Sequence, residues 1–298
     1  MSETVFNQAT VIASYGNQCK IETQELKHLI AKSLKSIGTP LCGDIVKFKS
    51  EQNNQFVITE ITPRHTVLSR RNNLNPKPKQ IAANIEQMLI VVSADSPLKY
   101  GLIDRYLIAA EFSGFTPVIV LNKIDKIDGT QYHDILQGLT IYTDIDIPIH
   151  HISAKNKTGI DSLLKTTANK TNIVVGQSGV GKSSIVNAIL PEMPALTREI
   201  SETTSKGKHT TTTAYLYSIP QNGKLIDSPG IREFGLWNIS KAELAKGFVE
   251  LQAASKACKF RDCLHINEPG CAVIAAVNNG DINPTRYRSY HSIFETLE

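Results

Sequence analysis

Apolar and polar positions alternate with a short period through the first 72 residues. "ATVIAS" (9–14) is followed by a turn at Tyr15-Gly16-Asn17 and by "CKIE" (19–22). "GDIVKF" (43–48) and "QFVITEI" (55–61) flank the polar turn "SEQNNQ". Short strands separated by turn residues predict a small sandwich or barrel over 1–72. The stretch "RRNNLNPKPKQ" (70–80) has two prolines, several amides and little apolar content, so 73–80 reads as a linker. The pattern then changes. "QMLIVVS" (87–93), "TPVIVLN" (116–122) and "NIVV" (172–175) read as buried strands. "YGLIDRYLIAAEFSG" (100–114), "IDSLLKTTANK" (160–170) and "SSIVNAIL" (183–190) read as helices. In the first of these Leu102, Tyr106 and Ala109 share a face, and Gly114 stops the run. Alternating strands and helices over 81–239 predict a parallel sheet covered on both faces. From Ser240 the pattern is helical to the end. Ser240 and Glu243 have capping-box spacing, and Leu244, Phe248 and Leu251 form an apolar stripe. Asn283-Pro284 supplies an N-cap and a first-turn proline, and Tyr287, Tyr290 and Phe294 lie on one packing face. The expectation is a multidomain chain: barrel, α/β domain and a mainly helical segment over 240–298.

The candidate chemistry sits at strand ends. Gly176-Gln177-Ser178-Gly179-Val180-Gly181-Lys182-Ser183 fits the phosphate-loop pattern between a strand and a helix, followed by Ser184. Its backbone N–H groups can cradle phosphates, with Lys182 near the β- and γ-phosphates and Ser183 on Mg²⁺. That loop alone does not separate ATP from GTP. Asn122-Lys123-Ile124-Asp125, at the end of an apolar run, does. The Asp125 carboxylate can accept from the guanine ring N–H and exocyclic amine, a donor pair that adenine lacks. Asn122 would orient the loop and touch the purine, and the Lys123 stem would cover its face. Ser153-Ala154-Lys155 would offer a backbone N–H to the guanine carbonyl. Downstream, Asp227-Ser228-Pro229-Gly230 ends a short strand. Asp227 can reach Mg²⁺ through water, the Gly230 N–H can sense the γ-phosphate, and a threonine of 210–212, taken as Thr211, can close on the metal.

These motifs run base reader, second guanine loop, cradle, threonine switch, DxxG switch, a rotation of the usual GTPase order. Parallel strands can be joined through different ends without changing the site. Rotation also sets the DxxG switch beside the C-terminal segment, so nucleotide state could pass along 231–240. Many GTPases position the attacking water with a glutamine after the DxxG glycine, and here Ile231 stands there. Turnover of the isolated protein is therefore expected to be slow. His209, beside the threonine run, is the best substitute for orienting water and joins Lys182 as a catalytic candidate.

Cys258, Cys263, His265 and Cys271 form a second constellation, suited to a closed, structural tetrahedral zinc site. In an extended segment Cys263 and His265 would point to one side, and "INEPG" can turn back to bring in Cys271. Cys19 and Cys42 are isolated and read as core residues.

Composition changes little of this. With 298 residues, 41% hydrophobic and 20% charged, the chain is globular rather than disordered or fibrous. No apolar run reaches the roughly 18–20 residues that cross a bilayer, and "MSETVFNQATVIASYG" lacks the pattern of a secretory signal. A cytoplasmic protein without membrane attachment is expected. The net charge of +4 permits an acidic partner such as nucleic acid. Nine basic residues oppose six acidic ones in 1–72. Lys256, Lys259, Arg261, Arg286 and Arg288 could add phosphate contacts. No coiled-coil signal is present, and a monomer is expected.

On these residues the chain resembles the circularly permuted ribosome small-subunit-dependent GTPase A family, bacterial assembly factors. The likeness covers nearly the whole chain: the N-terminal barrel, then OB-like, the rotated motifs, "GKHTTT" and the cysteine cluster. It implies a GTP hydrolase that assists late maturation of the small ribosomal subunit and contacts its rRNA. The subunit would stimulate it, and hydrolysis would release it, together with another assembly factor. The rival reading is an RNA-docking module that holds GTP or GDP only as a structural ligand. An ATP-using enzyme is opposed by Asp125.

Overall fold

A computed structural model describes residues 7–51, 53, 55–72, 75–190, 214–227 and 239–297. The chain divides into two compact units, Met1–Met88 with Ile160–Val174 and Lys182–Glu233, and Leu89–Gly159 with Val175–Gly181 and Phe234–Glu298.

The first unit opens with β1 (Asn7–Tyr15), β2 (Gln18–Thr23), β3 (His28–Ser33), β4 (Ile45–Glu51) and β5 (Gln55–Ile61). β1 pairs antiparallel with both β2 and β4, β2 with β3 and β4 with β5, while β3 runs parallel to β5. The five strands therefore close into a barrel. Ala9 and Val11, Cys19 and Ile21, and Val46 and Phe48 are two apart and point inward, joined by Ala31 and Ile58. Cys19 is thus a core residue, and Cys42 is buried too. β3 has no apolar alternation to announce it: Ala31 is buried while its neighbour Ile30 is 58% exposed.

β6 (Val67–Asn72) and β7 (Asn75–Ala83) form an antiparallel hairpin. Most of the expected linker is therefore strand. A two-stranded ribbon leaves one side of each strand unpaired, and edge strands of this kind tolerate proline. Later in this unit come α3 (Ile160–Thr167), β11 (Thr171–Val175), α4 (Lys182–Ile189), β12 (Tyr215–Ile219) and β13 (Gly223–Asp227). β11 runs parallel to β13, β13 antiparallel to β12, and β12 antiparallel to β1 of the barrel, with Ala13 opposite Tyr215.

In the second unit β8 (Gln87–Ser93), β9 (Thr116–Asn122) and β10 (Ile149–His151) lie in the order β10-β9-β8, with β10 parallel to β9. α1 (Tyr100–Ser113) ends as expected on Gly114, whose left-handed backbone donates to Ala110 and Glu111 carbonyls. α2 (Gly129–Thr143), not anticipated, starts on a capping box in which the Asp128 side chain takes the Gln131 N–H and Gln131 returns the bond. The C-terminal part is α5 (Lys241–Leu244), α6 (Val249–Ser255), α7 (Ala272–Asn279) and α8 (Pro284–Glu295). Leu244, Phe248, Leu251, Val273, Tyr290 and Ile293 form its core together with Ile108 and Ala109 of α1. α5 and α6 are separated by a tight turn at Ala245–Gly247, where a Cβ on Gly247 would meet Ile108 Cγ2 at 2.7 Å.

Arg286 is not a surface cation. It is 2% exposed, pairs with the buried Asp104 carboxylate and donates to Glu250 at 2.6 and 3.1 Å. Its guanidinium lies 4.6 Å from the Phe248 ring centre. Helix α8 turns this position inward, so Arg286 leaves the group of phosphate-contact candidates, whereas Lys256, Lys259, Arg261 and Arg288 are exposed. Among the described residues no helix is long and apolar enough to cross a membrane.

Candidate functional site

β9 carries four consecutive buried apolar residues, Val118–Leu121, and delivers Asn122 at its end, 1% exposed. The Asn122 side chain spans two loops. Its Nδ2 donates to the Val180 carbonyl at 2.9 Å, and its Oδ1 accepts the Ala154 N–H at 3.1 Å. One amide therefore bolts the 176–181 glycine loop to the 153–155 loop. Buried side-chain amides that bridge loops in this way rigidify what they join. Of the two roles expected of Asn122, orienting the loop and touching the purine, the bonds at its amide serve the first.

The glycines of the loop answer to the same crowding. A Cβ on Gly181 would lie 2.3 Å from Asn122 Nδ2, and one on Gly176 would lie 2.4 Å from the Val91 carbonyl oxygen. Both have positive φ, 94° and 142°. Gln177, Ser178 and Gly179 are exposed between them, and Val180 is buried. Lys182 and Ser183 follow as the first residues of α4, with Ser183 and Ser184 exposed.

Beyond Asn122 the backbone turns sharply. Lys123 adopts the left-handed conformation (φ 64°, ψ 33°), and Ile124–Lys126 form a single tight turn. Asp125 is exposed, and its Oδ1 accepts from the buried Ser153 hydroxyl at 2.5 Å. Ser153 Oγ in turn accepts the Asn156 N–H at 3.1 Å. The carboxylate that would read guanine is thus oriented by the second loop. Lys155 is exposed. Asp95, which no sequence motif marks, takes Lys123 Nζ on both oxygens at 3.2 Å and Lys126 Nζ at 2.9 Å. Tyr106 of α1, 2% exposed, sets its hydroxyl against the Gly176 backbone.

In the first unit Asp227 ends β13. Its outer face is open, yet loss of solvent around the carboxyl raises its pKa, with the Lys182 ammonium pulling the other way. His209, Thr211, Gly230 and Ile231, together with the 231–238 part of the connection to the C-terminal segment, lie outside the described residues.

The four cysteine-cluster ligands do converge. Their donor atoms all lie within 4.8 Å of one another. Cys258 Sγ is 3.6 Å from His265 Nδ1 and 3.9 Å from Cys271 Sγ, and Cys271 Sγ is 3.5 Å from His265 Nδ1. A tetrahedral zinc with ordinary bond lengths needs S···S near about 3.8 Å and S···N near about 3.6 Å. Burial lowers the His265 pKa, favouring the neutral imidazole that binds metals. The route to this geometry differs from the extended segment expected. His265 has φ 59°, and the loop is folded around Glu268, whose carboxylate accepts the N–H groups of Leu264, Ile266 and Asn267 at 2.9, 2.9 and 3.1 Å. Tyr287 and Tyr290 of α8 donate to the His265 and Leu264 carbonyls at 2.7 and 2.6 Å. Helical spacing marks Tyr287 and Tyr290 as packing residues, but no short-range pattern marks Glu268 or the hydrogen bonds of all three, because their partners are backbone groups of a loop with no period.

A glycine phosphate loop joined through one asparagine to an NKxD turn that precedes it, in a chain that opens with a five-strand barrel, defines a circularly permuted GTPase. The RsgA GTPase family model matches residues 61–237. The chain is 42% identical over 295 residues to the small ribosomal subunit biogenesis GTPase RsgA of Haemophilus influenzae, covering 97% of this chain and 85% of that one. It is 41% identical to RsgA 1 of Vibrio vulnificus, covering 96% and 83%. The crystal structure of YjeQ from Thermotoga maritima superposes with a TM-score of 0.82 at 29% identity, covering 98% and 99%. That of YloQ, described as a circularly permuted GTPase, superposes with 0.77 at 27%, covering 98% and 95%. The chain belongs to the RsgA GTPase family and is a GTP-hydrolysing enzyme.

Proposed function

We propose that this enzyme hydrolyses GTP in the maturation of the small ribosomal subunit, turns over slowly alone, and is stimulated by the subunit, which it leaves on hydrolysis with another assembly factor. The observation that carries the nucleotide reading is the Asn122 side chain, which holds the loop offering phosphate N–H groups and the loop offering a guanine contact in one fixed arrangement. Within that reading Asp125 accepts from the guanine edge, Ser153 holds its carboxylate, and the Ala154 and Lys155 backbone faces the guanine carbonyl. Gly176 to Gly181 wrap the phosphates, and Lys182 neutralises charge at the β–γ bridge. Ser183, Asp227 and Thr211 are the residues to hold Mg²⁺, which offsets charge on the phosphate oxygens when bound. Gly230 senses the γ-phosphate, and His209 orients the attacking water.

The names of the relatives support the small subunit as partner, and the exposed lysines and arginines near the metal knuckle suit rRNA phosphates. The barrel over 1–72, GTPase domain over 81–239 and helical zinc segment over 240–298 are the divisions we assign. The donor set of three thiols and one imidazole favours zinc, held for structure because no coordination position stays open.

The test is steady-state phosphate release with and without purified small subunits. Stimulation is expected, up to the roughly 10³–10⁵-fold that completion of a GTPase site can supply. Absence of multiple-turnover phosphate release with subunits present would instead mark a docking module.

A further inference from the structure

Asp95 has no role in any GTPase motif, yet it is the most heavily bonded carboxylate beside the NKxD turn. It stands two residues past the end of β8. Its Oδ1 accepts from the Ser93 hydroxyl at 2.5 Å, and its two oxygens receive Lys123 Nζ at 3.2 Å each. Lys126 Nζ adds a third ammonium bond at 2.9 Å. The Ser93 bond, then the Lys126 bond, hold the Asp95 carboxyl far below the usual carboxylate range, so it is charged at any working pH. Lys123 itself is held at both ends. Its left-handed backbone starts the stem at the end of β9, and its Cε lies 3.9 Å from the position of a Cβ on Gly181, along the phosphate loop. Asp95 then captures the tip.

Resting on the guanine-nucleotide reading above, we propose that Asp95 is a positioning residue for nucleotide binding: it anchors the Lys123 ammonium so that the four-carbon stem forms a preset wall for the purine face. A lysine stem has several freely rotating bonds, and ordering it costs rotamer entropy. Here two oxygens restrict it before nucleotide arrives, so binding does not bear that cost. The anchor acts on the base and not on phosphate, so GTP and GDP should feel it equally. Lys126 shares the carboxylate and fixes its direction, which keeps Asp95 aimed at Lys123.

The experiment is equilibrium binding of fluorescent GDP and a nonhydrolysable GTP analogue to the full chain and to Asp95→Asn, Asp95→Glu, Lys123→Ala and Asp95→Asn/Lys123→Ala. Asp95→Asn is expected to weaken both nucleotides by the same factor, roughly 3- to 10-fold, with an unchanged melting temperature in the absence of nucleotide. Asp95→Glu should recover part of the loss. The double variant should bind no more weakly than Lys123→Ala, since removing an anchor matters only while its lysine exists. Additive losses in the double variant, or an unchanged affinity in Asp95→Asn, would overturn the proposal. Asp125→Asn separates this from the underlying reading. If wild-type protein binds GDP and Asp125→Asn moves its preference to xanthine nucleotides, the guanine site stands whatever Asp95 does. If Asp125→Asn leaves guanine preference intact, the site reading itself fails.

Discussion

At the scale of single residues, position along β9 decides what a side chain can do. Asn122 is the last residue of a buried strand, so its amide is shut away from water and must find protein partners. It finds one in each of two loops. Asn122→Ala should weaken GDP binding by about 10- to 100-fold, measured by fluorescent-nucleotide titration, because a backbone group in each of two loops loses its bond at once. A loss below twofold would show that the loops hold themselves. The motif letters N, K and D could be read directly from the chain. That Asn122 faces Val180 and Ala154 could not, since those residues are 58 and 32 positions away. Asp95 was invisible for the same reason: an isolated acid in "SADSPLK" carries no pattern, and only the neighbouring strand ends reveal its partners.

At the scale of elements, α8 is held by one charge and the metal knuckle by one loop. Arg286 anchors α8 through Asp104 of α1 and Glu250 of α6. Deleting one partner of a buried ion pair strands the others, so Arg286→Ala should destabilise the protein by about 3–5 kcal/mol in urea unfolding followed by a C-terminal probe. A change under about 1 kcal/mol would contradict this. The knuckle should behave as a metal-dependent fold. Chelation is expected to release one zinc per chain and to lower thermal stability of the helical segment, read by mass spectrometry and calorimetry. Glu268→Gln should release zinc about 10- to 100-fold more readily, because its carboxylate organises the ligand loop. Here the ligands were legible by type, and their spacing was not diagnostic. The turn that brings them together depends on Tyr287 and Tyr290 arriving from α8, an element that begins after the last ligand.

At the scale of the first unit, the rotated chain order has a mechanical result. β12 and β13 are bonded on one side to β11 and on the other to β1 of the barrel. Three side-chain links reinforce that seam: Lys20 Nζ to Tyr215 Oη at 3.0 Å, Ser218 Oγ to Glu22 at 2.8 Å and Lys224 Nζ to Thr10 Oγ1 at 3.0 Å. Asp227 ends this hairpin, so the strand leading to the DxxG switch belongs to the same bonded sheet as the barrel. Replacing Lys20 and Lys224 by alanine should raise amide hydrogen exchange in β12 about fivefold and leave α1 unchanged, the scale of losing two half-buried polar links. Equal protection would mean that the ladder alone holds the seam.

The chain by itself determined the chemistry and the architecture. Strand periodicity, strand–helix alternation and a glycine loop ahead of lysine and serine rest on local spacing, which a linear string preserves, and the thiol and imidazole ligands rest on residue type. The 73–80 segment shows the limit, since two prolines read locally as a linker while the hairpin partner β6 makes strand of most of it. Tertiary structure decided which side chains meet across long separations: Asn122 with Val180, Asp95 with Lys123, Glu268 and the α8 tyrosines with the ligand loop, Arg286 with Asp104. Hydrogen bonds and ion pairs act through a few ångströms of space and are indifferent to sequence distance, so only the folded chain reveals them.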